Sequence, residues 1–239
     1  MKKKNRQGIM VDGSIRSAGV TFYTKQGNTI VRTSKSIQPK RCTELQLKQR
    51  ERYSHSISLW FVLKYVCKPM MSSERRPYDM FRSLASKLET VYLTKDENRN
   101  GATLLMPGIP VSCGTLPDID CRLGEVEGSP ALLTDITHSA LDGYDRLLLV
   151  EVEQQTGGSL PGIVVRSEAV TAADWRVVDG RIALVDGRFA DSMRGWALVR
   201  RRRGRCSSQR IVSRCTYYRR YTTTEALQRA AESYGGLTG

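Results

Sequence analysis

The sequence predicts an α+β chain, with an N-terminal β-hairpin and two helices, then an antiparallel β-sandwich, then a short C-terminal helix. Three observations predict it. Apolar residues recur at three- and four-residue spacing between residues 44 and 91, on either side of Pro69 and Pro77. After residue 101 the chain turns to short β-branched runs separated by Gly, Pro and Asp. Charge also comes in blocks: residues 1–100 hold 21 Lys and Arg against 8 Asp and Glu, residues 101–193 hold 6 against 14, and residues 194–239 hold 11 against 2. The net charge of +14 is therefore carried by two basic ends around an acidic middle.

The first element is a hairpin. Val20 to Thr24 and Thr29 to Thr33 are β-branched and aromatic runs on either side of a four-residue loop, Lys25-Gln-Gly-Asn28, in which Gly27 can take positive φ. A basic connector leads to Thr43-x-x-Gln46, a capping box that starts a helix over Glu44 to about Cys67. Its charges crowd the first half, which reads as solvated; its second half, with Trp60, Phe61 and Leu63, reads as buried. Pro69 ends it, and Pro77 opens a second helix whose Tyr78, Phe81, Leu84, Ala85, Leu88 and Val91 form one amphipathic face. Lys95 to Gly101 is a polar break where composition flips from basic to acidic, which puts a domain boundary there: 1–100 and 101–239.

Strands are expected at Thr103–Met106, Ile109–Cys113, Ala131–Ile136, Arg146–Glu153, Gly162–Ser167, Trp175–Val178, Arg181–Val185, Gly195–Arg200 and Arg210–Cys215. Asp179-Gly180 is the strongest hairpin signal among them. That number of strands at that spacing predicts an immunoglobulin-like sandwich rather than βαβ units. Thr222-x-x-Glu225 then caps a helix containing Ala226, Leu227, Ala230 and Ala231, with Gly235 as its C-cap.

Hydrophobic residues make up 40% of the chain, enough for a packed core. The N-terminus runs from Lys2-Lys-Lys4 into Gly8 and Asp12 without an apolar stretch, and the run from Ile57 to Cys67 is too short and too polar for a membrane span. The expectation is a cytoplasmic chain with no membrane association. Six cysteines at 42, 67, 113, 121, 206 and 215 form no Cys-x-x-Cys, and His55 and His138 have no ligand-spaced neighbours, so neither a metal nor another cofactor is expected. Buried thiols are the expectation, rather than bridges between Cys113 and Cys121 or Cys206 and Cys215.

Candidate contact residues follow from the charge. Arg200, Arg201, Arg202, Arg203 and Arg205 are placed at a hairpin tip, and Lys2, Lys3, Lys4 and Arg6 form a basic arm. Either group suits DNA or RNA phosphates or an acidic protein. Tyr217-Tyr-Arg-Arg-Tyr221 interleaves aromatics and arginines as single-strand stacking surfaces do, although strand alternation would bury half of it. Asp118 with Asp120, and Glu125 with Glu127, are acid pairs in a Gly- and Pro-rich loop without a basic partner, and read as solvated; no catalytic residue is assigned. Phe22, Trp60 and Phe61 are the apolar candidates for an interface.

Gly13-Ser-Ile-Arg-Ser-Ala-Gly19 with the hairpin after it, Thr43-Glu-Leu-Gln-Leu-Lys-Gln-Arg50, and Val111-Ser-Cys-Gly-Thr-Leu116 resemble an uncharacterised family common in gut Bacteroidetes. The resemblance covers mainly the first 60 residues. It implies a β-rich C-terminal part and a gut-bacterial, phage or mobile-element origin, and no activity. The function expected is non-enzymatic binding or assembly, the basic ends contacting a partner chain or copies of the protein itself. The alternative is nucleic-acid binding through the Arg200–Arg205 loop and the N-terminal arm.

Overall fold

The computed structural model describes residues 15–17, 20–25, 28–33, 42–71 and 75–237. The chain divides into two compact units between Arg41 and Cys42.

In the first unit, β1 (Ile15–Ser17), β2 (Val20–Lys25) and β3 (Asn28–Thr33) form an antiparallel sheet in that order. Lys25 pairs with Asn28, so both are strand residues and the connection is tighter than the four-residue loop expected. β1 was not foreseen, being three residues between glycines.

In the second unit, Thr43 caps α1 (Glu44–Cys67) with the reciprocal hydrogen bonds of a capping box. Burial does not divide α1 into a solvated and a buried half. It follows one stripe along its whole length, Leu47, Glu51, His55, Leu59, Leu63 and Cys67. Pro77 occupies the first turn of α2 (Pro77–Ala85), which ends six residues before Val91. The Leu88 N–H still turns back to the Ala85 carbonyl at 3.0 Å, but further on the backbone takes distant partners: the Tyr92 N–H donates to the Tyr221 carbonyl at 2.7 Å and the Leu93 N–H to Glu51 Oε2 at 3.0 Å. The 84/88/91 spacing mimics a helix that the chain does not continue. Thr94 caps a short α3 (Lys95–Arg99) inside the expected polar break.

The strands follow: β4 (Pro110–Ser112), β5 (Cys121–Val126), β6 (Ser129–Thr137), β7 (Arg146–Gln155), β8 (Gly162–Val170), β9 (Trp175–Val178), β10 (Arg181–Val185), β11 (Arg194–Arg202), β12 (Arg205–Cys206), β13 (Gln209–Arg210) and β14 (Val212–Ser213). One antiparallel sheet has the order β5-β6-β10-β9; another has β12-β11-β7-β8, with β14 added on β11. β13 pairs with β4. Glu127-Gly128, Asp179-Gly180 and Arg203-Gly204 all have positive φ and join β5 to β6, β9 to β10 and β11 to β12 as two-residue hairpins, where glycine avoids the Cβ clash.

Three sequence expectations are corrected here. Thr103–Met106 is fully buried but is not a strand, because its N–H groups meet a carbonyl and side chains: Thr103 donates to the Pro161 carbonyl, Leu104 to His55 Nε2 at 3.3 Å and Leu105 to Gln154 Oε1 at 2.7 Å. Arg210–Cys215 is broken between β13 and β14. The loop assigned to Glu125 is strand β5, its pattern diluted by Gly124 and by the exposed charges Arg122 and Glu125.

Alternation sorts the central sheet's side chains between two cores. Leu147 and Leu149 of β7 and Trp196 and Leu198 of β11 join Leu132, Ile182 and Leu184 of the facing sheet. Val150, Val152, Ala197 and Val199 point the other way and pack with Leu59, Leu63 and Phe81 of α1 and α2. The helices therefore share a core with the strands, and the compositional flip near residue 100 does not separate two cored units. After a 3-10 turn at Tyr217–Tyr221, α4 (Thr224–Ser233) closes the chain; its cap is Thr223, one residue later than expected, and Ala226, Ala230 and Ala231 pack with Leu47 and Tyr92. Tyr218 and Tyr221 are buried while Arg219 and Arg220 are exposed, a three-residue period rather than strand alternation.

Candidate partner-binding face

The arginine hairpin lies at the β11–β12 tip as expected, yet much of its charge is spent inside the molecule. Arg200 is buried, and its Nε and Nη2 donate to the two Asp145 carboxylate oxygens at 2.9 and 2.7 Å. Arg202 grips the same carboxylate at 2.9 and 2.6 Å and pairs with Asp142 at 2.9 Å. Burial opposes ionisation of Asp145, but the hydrogen bonds from Arg202 and Arg200 outweigh it and hold the carboxyl well below its usual range. Arg203 lies over the Tyr144 ring at 4.1 Å. Arg201, Arg203 and Arg205 remain exposed. Arg200 is thus a strut between β11 and the loop before β7, not a partner contact.

Arg194 continues the pattern. It pairs with Glu151 at 2.9 Å, Asp191 at 3.0 Å and Glu153 at 3.6 Å. Three arginines of the basic C-terminal block therefore discharge on acids of the middle block, and much of the complementarity legible in the sequence is satisfied within one chain. Arg201, Arg203, Arg205, Arg214, Arg219 and Arg220 stay exposed, and a further basic surface lies on α1 and α2.

On that surface α1 carries a second apolar stripe. Leu45, Tyr53, Phe61 and Tyr65 are 78, 49, 61 and 83% exposed and are separated by multiples of four residues. Each stands two residues from a buried position, about 200° round the helix at 100° per residue, so each points away from the core locally, while the row as a whole winds about 200° round α1 between Leu45 and Tyr65. The Lys64 ammonium sits 5.1 and 5.0 Å from the Phe61 and Tyr65 ring centres. Of the other sequence candidates, Trp60 turns inward, half-buried against Tyr78 and Phe81 at 5.9 and 5.4 Å. Phe22 lies in β2, paired with Val31. Lys2, Lys3, Lys4 and Arg6 lie outside the described residues. Leu45, Tyr53 and Tyr65 were not singled out in the sequence; their four-residue spacing on a capped helix was the available signal.

Between the first half of α1 and α2 runs an open groove of about 860 Å³. Lys48, Arg52 and Arg82 line it, with Leu45 and Tyr53 as its apolar wall. Arg82 lies over Tyr53 and Tyr78, at 5.2 and 5.7 Å from the ring centres. Asp79 is its one acid among the described residues, and Arg76 already pairs with it at 3.0 Å.

A second groove, of about 550 Å³, collects Asp118, Asp120 and Asp135 near Cys113 and Cys121. Its acids serve the backbone: Asp118 accepts from the Ser208 N–H at 2.8 Å and Asp135 from the Asp120 N–H at 2.8 Å. No group of three or more His, Cys, Asp or Glu placed to hold a metal occurs among the described residues. The six cysteines are unbridged, and burial pushes the Cys67 and Cys121 thiols up to about 12. No helix among the described residues is long and apolar enough to cross a membrane. Comparison with family models, curated proteins and solved structures finds no match.

Proposed function

We propose that this is a non-enzymatic binding or assembly protein that presents the outer face of α1 to a partner chain. One observation carries the reading: a helix already anchored by one apolar stripe exposes another on its opposite side, where large apolar side chains cost solvation unless something covers them. The strand orders β5-β6-β10-β9 and β12-β11-β7-β8 support taking the sheets as the A-B-E-D and G-F-C-C′ halves of an immunoglobulin-like sandwich, a scaffold that holds α1 on its far face. Buried, unbridged thiols support a reducing cytoplasmic setting.

The test is light scattering after size exclusion, and recovery of bound proteins from the native host, with the protein and its Phe61→Ser, Tyr65→Ser variant. The reading expects an associated species, homomeric or with a partner, that the variant loses while its fold is retained. A monomer without partners at both about 0.1 M and 1 M salt overturns it.

A second reading, nucleic-acid binding, is favoured by Arg201, Arg203 and Arg205, which stay exposed at the β11–β12 tip. Replacing the three with Ser then weakens DNA or RNA binding and lowers the salt slope by roughly one unit per lost phosphate contact.

A further inference from the structure

We infer that the groove between α1 and α2 is the docking site for an acidic amphipathic helix of a partner protein, an inference that rests on the binding reading above and names the class of partner. The groove joins two chemistries. Lys48, Arg52 and Arg82 give it positive charge, whereas Leu45 and Tyr53 give it an apolar wall that charge alone does not explain. A ligand that satisfies both has carboxylates along one side and apolar side chains along the other, at the spacing of a helix lying in a groove.

The occupant is not a second copy of α1. From Glu44 to Lys68 that helix carries Lys48, Arg50, Arg52, Lys64 and Lys68, of which Lys48 and Lys64 are half-buried and the rest exposed, against Glu44 alone at its surface, because Glu51 is buried. Pairing it with itself sets cation against cation. A nucleic-acid strand would also meet cations and aromatic rings here, but it offers nothing to aliphatic Leu45, 78% exposed at the groove, and the oligonucleotide arm of the test below decides against or for it. Beyond Ser56 the stripe continues as Phe61 and Tyr65, with Lys64 drawn over their rings. Arg82 is also positioned for a carboxylate: stacking on Tyr53 and Tyr78 restrains its guanidinium at the groove and lowers the entropy lost on pairing.

The test uses the full chain as bait for a displayed library of helices about 14 residues long, ~21 Å at 1.5 Å per residue, with leucine fixed on one face and Asp, Glu, Lys and Arg randomised elsewhere. Binders enriched in Asp and Glu are expected. The double variant Lys48→Glu, Arg82→Glu, both changes on the surface, should bind those helices about tenfold more weakly or worse and select Lys and Arg instead. No enrichment, enrichment of basic helices by the unaltered protein, or binders indifferent to the double variant overturns the inference. So does a 20-nucleotide oligo(dT) that binds the unaltered protein and is lost in the variant, since that assigns the groove to nucleic acid. If the library fails while Phe61→Ser, Tyr65→Ser still abolishes association, the binding reading stands and only the acidic helix falls.

Discussion

The central sheet of the second unit separates two cores built by different rules. On the side facing the other sheet, neighbouring strands supply most backbone partners, and the side chains, Leu132, Leu147, Ile182, Trp196 and Leu198, are apolar. On the helical side two segments, 90–93 and 102–106, are buried and belong to no sheet. Buried polar side chains stand in for missing strands: Glu51 accepts from Leu93, His55 from Leu104 and Gln154 from Leu105. A hairpin needs only its turn and alternation, whereas an irregular buried segment needs a specific acceptor far away in sequence. The sheet side should therefore break through packing and ion-pair geometry, and the helical side through protonation.

The largest effect tests the sheet side. Asp145→Ala leaves the buried Arg200 without its carboxylate and should cost about 3–5 kcal/mol of stability, measured by denaturant unfolding. The native Asp145 carboxyl is held below its unfolded value, so its contribution is present above about pH 4 and is lost as pH falls below that. A loss under 1 kcal/mol would mean that Arg200 finds another partner, such as the Ala140 carbonyl it already meets at 2.8 Å.

On the helical side, burial lowers the His55 pKa to about 4, and Nε2 must stay unprotonated to accept from Leu104. The unfolded chain binds a proton near pH 6.5 that the native state refuses. Stability then falls as pH drops from about 6.5 to 4, by roughly 3 kcal/mol in all, a window above that of Asp145. His55→Gln keeps an acceptor without this titration, and its stability should be flatter across the window. An unchanged slope would place the sensitivity elsewhere.

The same contrast decides what could be read in advance. Asp179-Gly180, the capping box at Thr43, Pro77 and the β9 and β10 runs are local signals, and the structure places them where the sequence does. Leu88, Val91 and the run from Thr103 to Met106 misled because apolar spacing reports burial and not the direction of the backbone hydrogen bond. The arginine hairpin was located correctly, but Asp145 lies 55 residues before Arg200 and no local pattern joins them. The outer face of α1 was half-legible: Phe61 was picked out, though in a half of the helix read as buried, while Leu45, Tyr53 and Tyr65 were not singled out.

The smallest effect has the opposite sign. Glu51 is fully buried on α1, four residues before His55. Burial raises its pKa, against the hydrogen bonds from Asn98 and the Leu93 N–H, and its second oxygen has no hydrogen-bond partner. Burial in the native state disfavours the charge that the unfolded chain carries in water. As pH falls through the raised value the native carboxyl takes up its proton first, so this group adds stability on acidification while His55 removes it. Glu51→Gln keeps the carbonyl that Leu93 needs and discards the charge. It should leave unfolding free energy unchanged or raise it by about 1 kcal/mol at pH 7, whereas Glu51→Leu, which orphans the Leu93 N–H, should lower it by about 1–3 kcal/mol. If Gln and Leu destabilise equally, the carboxylate's charge, and not its role as acceptor for segment 90–93, is what holds the helical core together.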